Sequence, residues 1–465
     1  MNKTQAVNVP NVIRHVVNND LCTGCGVCTN ACPTKSIEMK WSDTGFLIPE
    51  LNNEPCDSNG SCLTVCPFDP TTDDLKKNED YLSNIYVSNN ESLKNNKIGS
   101  YTKTYAGHSN NYRLTSSSGG VTSMIFQILL ENDIIDKIIC VDSDSENNYS
   151  YRIINSLKEI KKTSKTKYYP TTLADCIEEV KVTNSRYAIV GLPCFIKGLR
   201  LLTQNNTILK DRIKFAISIV CGGLKSKFFT EYLVEKSGLS HKDFSNPMYR
   251  KKILEKKASR YQFNAQTKDL EVTKSLNMWE LGDMWGTGLF KANACDFCDD
   301  VTGETADISI GDAWIKPFID DGRGANIIIV RSKIAQNIIN LGIDNKQLQI
   351  QEIDSEDIIN SQDASFRHRQ DSIGLRVLLN KFKGKVTPTK RYNFKISSIS
   401  SLLTQLIRRK TRAKSIELWF KSKDASIFER EMYKYRYILK ILSKFRKYRN
   451  FYRTKKFKTL IKKFK

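Results

Sequence analysis

The 465-residue chain contains no apolar run approaching the ~18 residues that a membrane-spanning helix needs, so no transmembrane segment is expected. Its first twenty residues, MNKTQAVNVPNVIRHVVNND, lack the apolar centre of a secretory leader, which removes that expectation too. Histidine is scarce: there are four, scattered, and none falls at a metal-ligand spacing. His15 and His108 read as structural or exposed positions. Acid is scarce in one region only. Residues 390–465 carry 25 Lys and Arg against 4 Asp and Glu, whereas the whole chain carries 73 against 50. The net charge of +23 therefore resides almost wholly in a tail, and the body before it is close to neutral.

Cysteine is what the chain does have. Of the 13, seven fall between Cys22 and Cys66 in two runs, LCTGCGVCTNACPTKS and EPCDSNGSCLTVCPFD. A C-x2-C-x2-C-x3-C-P run is the arrangement in which thiolates hold a [4Fe–4S] cluster, with the last cysteine of each run crossing to the other cluster. On that rule Cys22, Cys25, Cys28 and Cys66 hold one cluster, and Cys32, Cys56 and Cys62 hold the second. The second run departs at Asn59, where a cysteine is due. An amide replaces a thiolate poorly on iron, so the second cluster is expected to be [3Fe–4S], or [4Fe–4S] with one non-cysteine corner. A zinc ribbon is the alternative, but paired C-x2-C hooks have no use for seven cysteines and two Cys-Pro steps. Free thiolates imply a reducing compartment, hence a cytosolic protein.

Length suggests about three domains, and an apolar fraction of 40% is ample for their cores. Residues 1–70 are the ferredoxin module. Residues 71–99 are polar and Asn-rich and read as a linker with one short helix. Beyond them, strand and helix signals alternate, which argues for an α/β body with a mixed sheet. Val121 to Leu130 has helical spacing, directly after the small residues Ser116 to Gly120. Backbone N–H groups at such a helix start favour an anion such as phosphate; a plain serine cap on a glycine turn is the alternative. The strands Tyr187 to Val190 and Ile213 to Val220 end just before Cys194 and Cys221, where open α/β sheets place their ligands. With Cys295 and Cys298 these make a second set of four. They suit a further [4Fe–4S] cluster, a structural zinc, or buried inert thiols. Cys140 in a strand and Cys176 in a helix read as ordinary positions.

The segments TSSSGGVTSMIFQIL, VGLPCFIKGLR, VCGGLKSKFF, CDFCDDVTGETADISIGDAW and the NIIIV strand resemble the family of coenzyme F420 hydrogenase/dehydrogenase beta subunits. With the fused ferredoxin module, the resemblance covers roughly residues 1–335. It implies N- and C-terminal family domains over 100–180 and 181–345, and FAD bound in the body beside a cluster held by Cys194, Cys221, Cys295 and Cys298. Ser117, Ser118, Gly119 and Gly120 match the family's flavin-proximal element, and Lys167 and Tyr168 fall near its Ser-Lys-Tyr element. Gly311, Asp312 and Trp314 match a Gly-Asp-Ala-Trp element expected to shape the cofactor pocket. The fold class expected is thus an α+β ferredoxin-like dicluster module, an α/β flavin-binding body and a helical basic C-terminal extension.

Clusters carry single electrons, and a flavin exchanges one electron or a hydride. The resemblance therefore implies electrons passing between a ferredoxin-like donor or acceptor, the clusters, FAD and a small-molecule substrate. Coenzyme F420 is not required for this. Bacterial relatives occur in surface-polysaccharide contexts, which offers glycan synthesis as a setting. An electron-transfer subunit serving a partner enzyme and a non-redox membrane-associated scaffold are the alternatives. Residues 346–389 read as a loop followed by a closing helix. From 390 onward, apolar and aromatic residues recur at helical spacing among Lys and Arg. That pattern suits an anionic membrane surface, with a partner protein or a solvated hairpin as alternatives. Nucleic acid is disfavoured because no binding motif accompanies the charge.

Overall fold

The computed structural model describes residues 8–143, 149–392 and 399–463, with side chains described through residue 449. The amino-terminal module is a pseudo-repeat. Short helices Val27–Ala31 and Ser61–Thr64 each follow a left-handed glycine and each carry the third cysteine position of their run, Cys28 and Cys62. A hairpin, Ile37–Trp41 paired antiparallel with Leu47–Leu51, completes it.

Residues 71–99 are not a linker. They form the helix Glu79–Tyr86 and the hairpin Leu93–Asn95 with Gly99–Tyr101. The polar composition conceals three fully buried apolar anchors, Leu82, Val87 and Ile98. It also conceals Glu79, which is buried in an ion pair with Lys197 at 2.8 Å.

The body is built on eight strands: β1 (Lys103–Ser109), β2 (Lys137–Ser143), β3 (Tyr149–Ile154), β4 (Tyr187–Gly191), β5 (Ile213–Ile219), β6 (Ile308–Asp312), β7 (Asn326–Val330) and β8 (Leu348–Glu352). Their spatial order is β8-β1-β7-β6-β5-β4-β2-β3. The inner strands β2, β4, β5 and β6 run parallel, and the flanking pairings are antiparallel, so the sheet is mixed. The near-continuous apolar runs YAIVG and NIIIV occupy β4 and β7, buried on both faces, as strands covered on both sides must be. Helices Val121–Glu131 and Lys333–Asp344 cover one face, and Ala174–Val182 and Pro193–Gln204 cover the other. Between β5 and β6, the helix Phe228–Ser237 packs on a three-stranded antiparallel sheet (Ser245–Lys251, Gln262–Gln266, Thr273–Asn277).

Two further readings are corrected. Residues 346–389 do not open with a loop: β8 adds an edge strand to β1, and helices Ser355–Ser361 and Ile373–Lys381 follow. The tail is not a free amphipathic appendage. It forms helices Ile399–Ser422 and Ala425–Lys463, and Trp419, Phe428 and Met432 are fully buried against Phe228, Tyr232 and Phe290. Helical apolar spacing says that a face is covered but not by what; through Met432 the cover is the protein itself.

The ferredoxin module is docked on the body through hydrogen bonds. Leu173 N donates to Cys25 O at 3.0 Å, and Lys227 N donates to Gly45 O at 2.9 Å. Asn30 Nδ2 donates to Ala174 O at 2.8 Å. Gly198 lies at the seam: a Cβ there would lie 3.3 Å from Val27, a tight contact, and 3.7 Å from Cys25 Sγ, an ordinary one.

Candidate redox centres and cofactor cavity

Cys22, Cys25, Cys28 and Cys66 line one small apolar cavity of about 20 Å³ with Val12, Val16 and Phe68. Burial pushes the Cys22 thiol up to about 12, and it raises Cys28 and Cys66 well above the ordinary thiol value, with neighbouring cysteines adding to the effect. Thiols in such surroundings stay neutral until a metal displaces the proton. Burial raises Cys62, with Cys32 and Cys56 adding to it, and Cys28 feels Cys62 as well as Cys25, Cys22 and Cys66. At Cys32, burial is outweighed by hydrogen bonds with Ser36 and Thr34 at 3.3 and 3.5 Å, and its thiol is drawn below the ordinary value. Both ends of the Asn59 amide are engaged in its own turn. Oδ1 accepts from Ser61 N, and Nδ2 donates to Asp57, each at 2.9 Å.

The second set of four also converges. Cys194 is the second residue of the helix after β4, Cys221 lies two residues past β5, and Cys295 and Cys298 lie in and after the 3-10 turn Asn293–Phe297. Burial raises the Cys194 thiol well above the ordinary value, and Cys298, Cys221, Cys295 and Cys25 of the ferredoxin module add to it; Cys194 packs against the cluster that contains Cys298. Backbone N–H groups of Gly223 and Leu224 point at Cys221 Sγ (3.3 Å) and Cys295 Sγ (3.2 Å). Burial pushes the Cys298 thiol up to about 11. Asp296, between the two loop cysteines, is buried, yet Lys291 (3.5 Å), His368 (3.4 Å) and Arg412 (3.2 Å) hold its carboxyl well below the usual range. Among the described residues, no three His, Cys, Asp or Glu side chains converge closely enough to hold a single metal ion.

Beyond these cysteines a cavity of about 270 Å³ opens at the carboxyl ends of the parallel strands, the position open α/β sheets use for ligands. Its walls include Ser116, Ser117, Ser118 and Gly120, Lys167 and Tyr168, Cys221 to Lys225, and Gly311 and Asp312. Gly120 is left-handed (φ 78°) and starts the helix Val121–Glu131, so the helix N-terminus opens onto the cavity. Ser117 Oγ accepts from Thr166 N at 2.9 Å and Ser118 Oγ donates to Ala325 O at 2.8 Å, whereas the buried Ser116 Oγ has no partner. Burial lowers Lys167 to about 8, and its ammonium donates to Thr163 O. The lining residues Lys165, Lys167, Lys225 and Arg250 face a single carboxylate, Asp312, which Arg250 grips with two bonds of 2.7 and 2.8 Å.

Two expected residues stand outside this wall. A Cβ at Gly119 would lie 2.7–2.8 Å from Asn326 and Gly107, so Gly119 permits close packing on β1 and β7 and does not face the cavity. Trp314 lies one layer behind, its ring 5.3 Å from the Arg250 guanidinium, because it follows the end of β6 where the chain turns outward. Arg250, Asn326, Lys225 and Arg369 were not singled out from the sequence; no local spacing marks them. A second, larger groove of about 680 Å³ is solvent-open, lined by Asp142, Glu159, Asp175 and Glu179, and contains none of the expected ligand or flavin residues.

Comparison with known proteins places three matches along the chain. Residues 21–69 match the 4Fe-4S dicluster domain. Residues 104–178 and 184–356 match the N-terminal and C-terminal models of the coenzyme F420 hydrogenase/dehydrogenase beta subunit. The chain is 24% identical over 328 residues to one of the F(420)H(2) dehydrogenase subunits of Methanosarcina mazei, covering 67% of this chain and 82% of that protein. It is 23% identical to the coenzyme F420-dependent sulfite reductase of Methanocaldococcus jannaschii, covering 70% of this chain and 47% of that protein. A chain of the F420-reducing [NiFe] hydrogenase complex from Methanosarcina barkeri superposes with a TM-score of 0.48 at 15% identity, covering 62% of this chain and 96% of that chain.

Proposed function

The chain belongs to the family of coenzyme F420 hydrogenase/dehydrogenase beta subunits and carries a 4Fe–4S dicluster domain ahead of the family region, and on that premise we propose an iron–sulfur flavoprotein oxidoreductase acting on a small molecule. The observation that carries this reading is continuity. Cys25 and Cys194 pack against the same core cluster, and Cys221 belongs both to the second cysteine set and to the cavity wall. Electrons would pass from a ferredoxin-like donor through the two ferredoxin clusters to a third, held by Cys194, Cys221, Cys295 and Cys298, and so to the cavity, or in reverse.

A cubane spreads its thiolates over four irons, whereas tetrahedral zinc draws sulfurs to within roughly 3.8 Å of one another, given Zn–S of about 2.3 Å. Four cysteines and no histidine, with backbone N–H groups on two of the sulfurs, support the cluster reading. The polar lining of the cavity is what supports FAD as its occupant. The helix N-terminus at Gly120 and the Ser116 hydroxyl offer donors to a diphosphate, with Lys165, Ser117, Ser118, Lys167, Tyr168 and Asp312 around it. FAD, when bound, supplies exchange of either one electron or a hydride, which joins cluster chemistry to a two-electron substrate.

Anaerobic purification followed by iron, sulfide and flavin quantification tests this, with EPR before and after dithionite. One FAD and three clusters are expected, one of them giving an oxidised [3Fe–4S] signal because of Asn59. Two clusters and no flavin would leave only the dicluster domain. A second reading, an electron-transfer subunit whose substrate site lies on a partner, is favoured by the M. mazei relative being named a subunit. Reductant-driven turnover of a small molecule by the purified chain alone would exclude it. The exposed face bearing Tyr433, Tyr437, Ile441 and Phe445, in a strongly basic helix, supports contact with an anionic membrane surface. Flotation with anionic liposomes should be lost when these four become Ser; equal flotation removes the idea.

A further inference from the structure

Resting on the third-cluster reading above, we propose that Arg369 sets the reduction potential of that cluster and does so as part of a roof built by the C-terminal segment. The family models end at residue 356, so the roof lies outside the matched region. Arg369 sits in a π-helical turn, Arg367–Asp371, and is 2% exposed. Its guanidinium donates to Cys298 Sγ, to Cys221 O at 2.6 Å, to Asp300 O at 2.8 Å and to Cys298 O at 3.2 Å. Among the described residues it forms no ion pair with a carboxylate.

A buried cation without a paired carboxylate is stabilised by whatever negative charge its site holds. Arg369 donates to Cys298 Sγ and lies in the field of Cys298, Cys221 and Cys295, with the Asp300 carboxyl, which accepts from the N–H groups of Thr302, Gly303 and Glu304, contributing less. Potential in such a cluster follows net charge, hydrogen bonds to sulfur and solvent exposure. Arg369 acts on all three: it is a cation, it donates to a cysteine sulfur, and it closes the site.

The rest of the roof holds the cysteine loop against it. Arg376 Nε donates to Asp296 O at 2.7 Å, Arg412 pairs with the Asp296 carboxylate, and Gln370 Nε2 donates to Asp299 O at 3.1 Å. Ser415 Oγ, from the tail helix, accepts from Phe290 N at 2.9 Å.

The test is an EPR-monitored redox titration of the full-length holoprotein carrying Arg369→Gln or Arg369→Lys. Gln removes charge and keeps a donor, so the third cluster should shift to more negative potential while the two ferredoxin clusters stay in place. Lys keeps the charge and should lie close to the unaltered protein. Three clusters in Arg369→Gln with the third at unchanged potential would overturn the proposal, as would equal shifts in Gln and Lys. If Gln fails to assemble the cluster, Lys decides. Assembly near the original potential supports a charge role, and loss in both variants, or assembly at a clearly lower potential, refutes it. Iron content of the unaltered chain separates the two ideas: two clusters there would remove the third site itself, whereas three clusters with an indifferent potential remove only the part assigned to Arg369.

Discussion

Glu79 shows how a single buried residue ties three segments together. It lies in the helix after the dicluster domain, pairs with Lys197 of the body at 2.8 Å, and has Arg391 from the start of the tail 3.5 Å away. Burial alone would raise its carboxyl, but Lys197, Arg391 and Lys390 outweigh it and hold the group well below the ordinary value of 4.5, while Lys197 is raised in turn. A depressed carboxyl contributes its full stability above the unfolded value and loses it as pH falls through the folded one. Glu79→Gln should therefore cost about 3–5 kcal/mol at pH 7, as breaking a buried pair does, with the gap from the unaltered chain closing below about pH 4.5. Denaturant unfolding at several pH values checks this; a gap independent of pH would refute it. Nothing in the sequence around Glu79 announced the pair, because its partners are 118 and more than 300 residues away. The ferredoxin cysteines were legible for the opposite reason: a cluster bound within one short segment imposes its spacing on the sequence.

At the scale of elements, the tail helices are clamps. Thr411, Ser415 and Trp419 fall four residues apart on one buried stripe of Ile399–Ser422. Trp419 Nε1 donates to Glu231 at 2.8 Å, and its ring meets Tyr232, Phe290 and Phe428 at 5.7–6.1 Å. Trp419→Ala should destabilise the chain by about 3–5 kcal/mol, the range for deleting a large buried aromatic. A lowered thermal midpoint for the body is the expected result; an unchanged one would mean that the tail is dispensable to the core. The sequence carried the periodicity of these helices and the alternation of the sheet, both short-range patterns. It did not carry which surface the tail covers, nor that Arg250 would reach Asp312 across 62 residues.

At the scale of the whole molecule, dicluster domain, body and tail share polar and apolar contacts at every junction. Asn293 Nδ2 donates to Asp20 O at 2.9 Å, and Phe68 packs in one cluster with Ala294 and Phe297. Metal binding that exists only in the folded state is folding free energy. Stripping the clusters with chelator and oxidant should thus lower the midpoint of the body together with that of the dicluster domain, in one calorimetric transition. Two separated transitions, with the body's unmoved, would show the parts to be independent.

The seating of the dicluster domain against Gly198 bears on tempo. Many ferredoxin domains on slack leashes must search for their acceptor, so their throughput follows solution viscosity and leash length. Here the seam is hydrogen-bonded at Cys25, Asn30 and Gly45. On the proposed electron path the parts would act as soldered wiring, and waiting time in turnover would fall to the docking of outside reactants at its two ends.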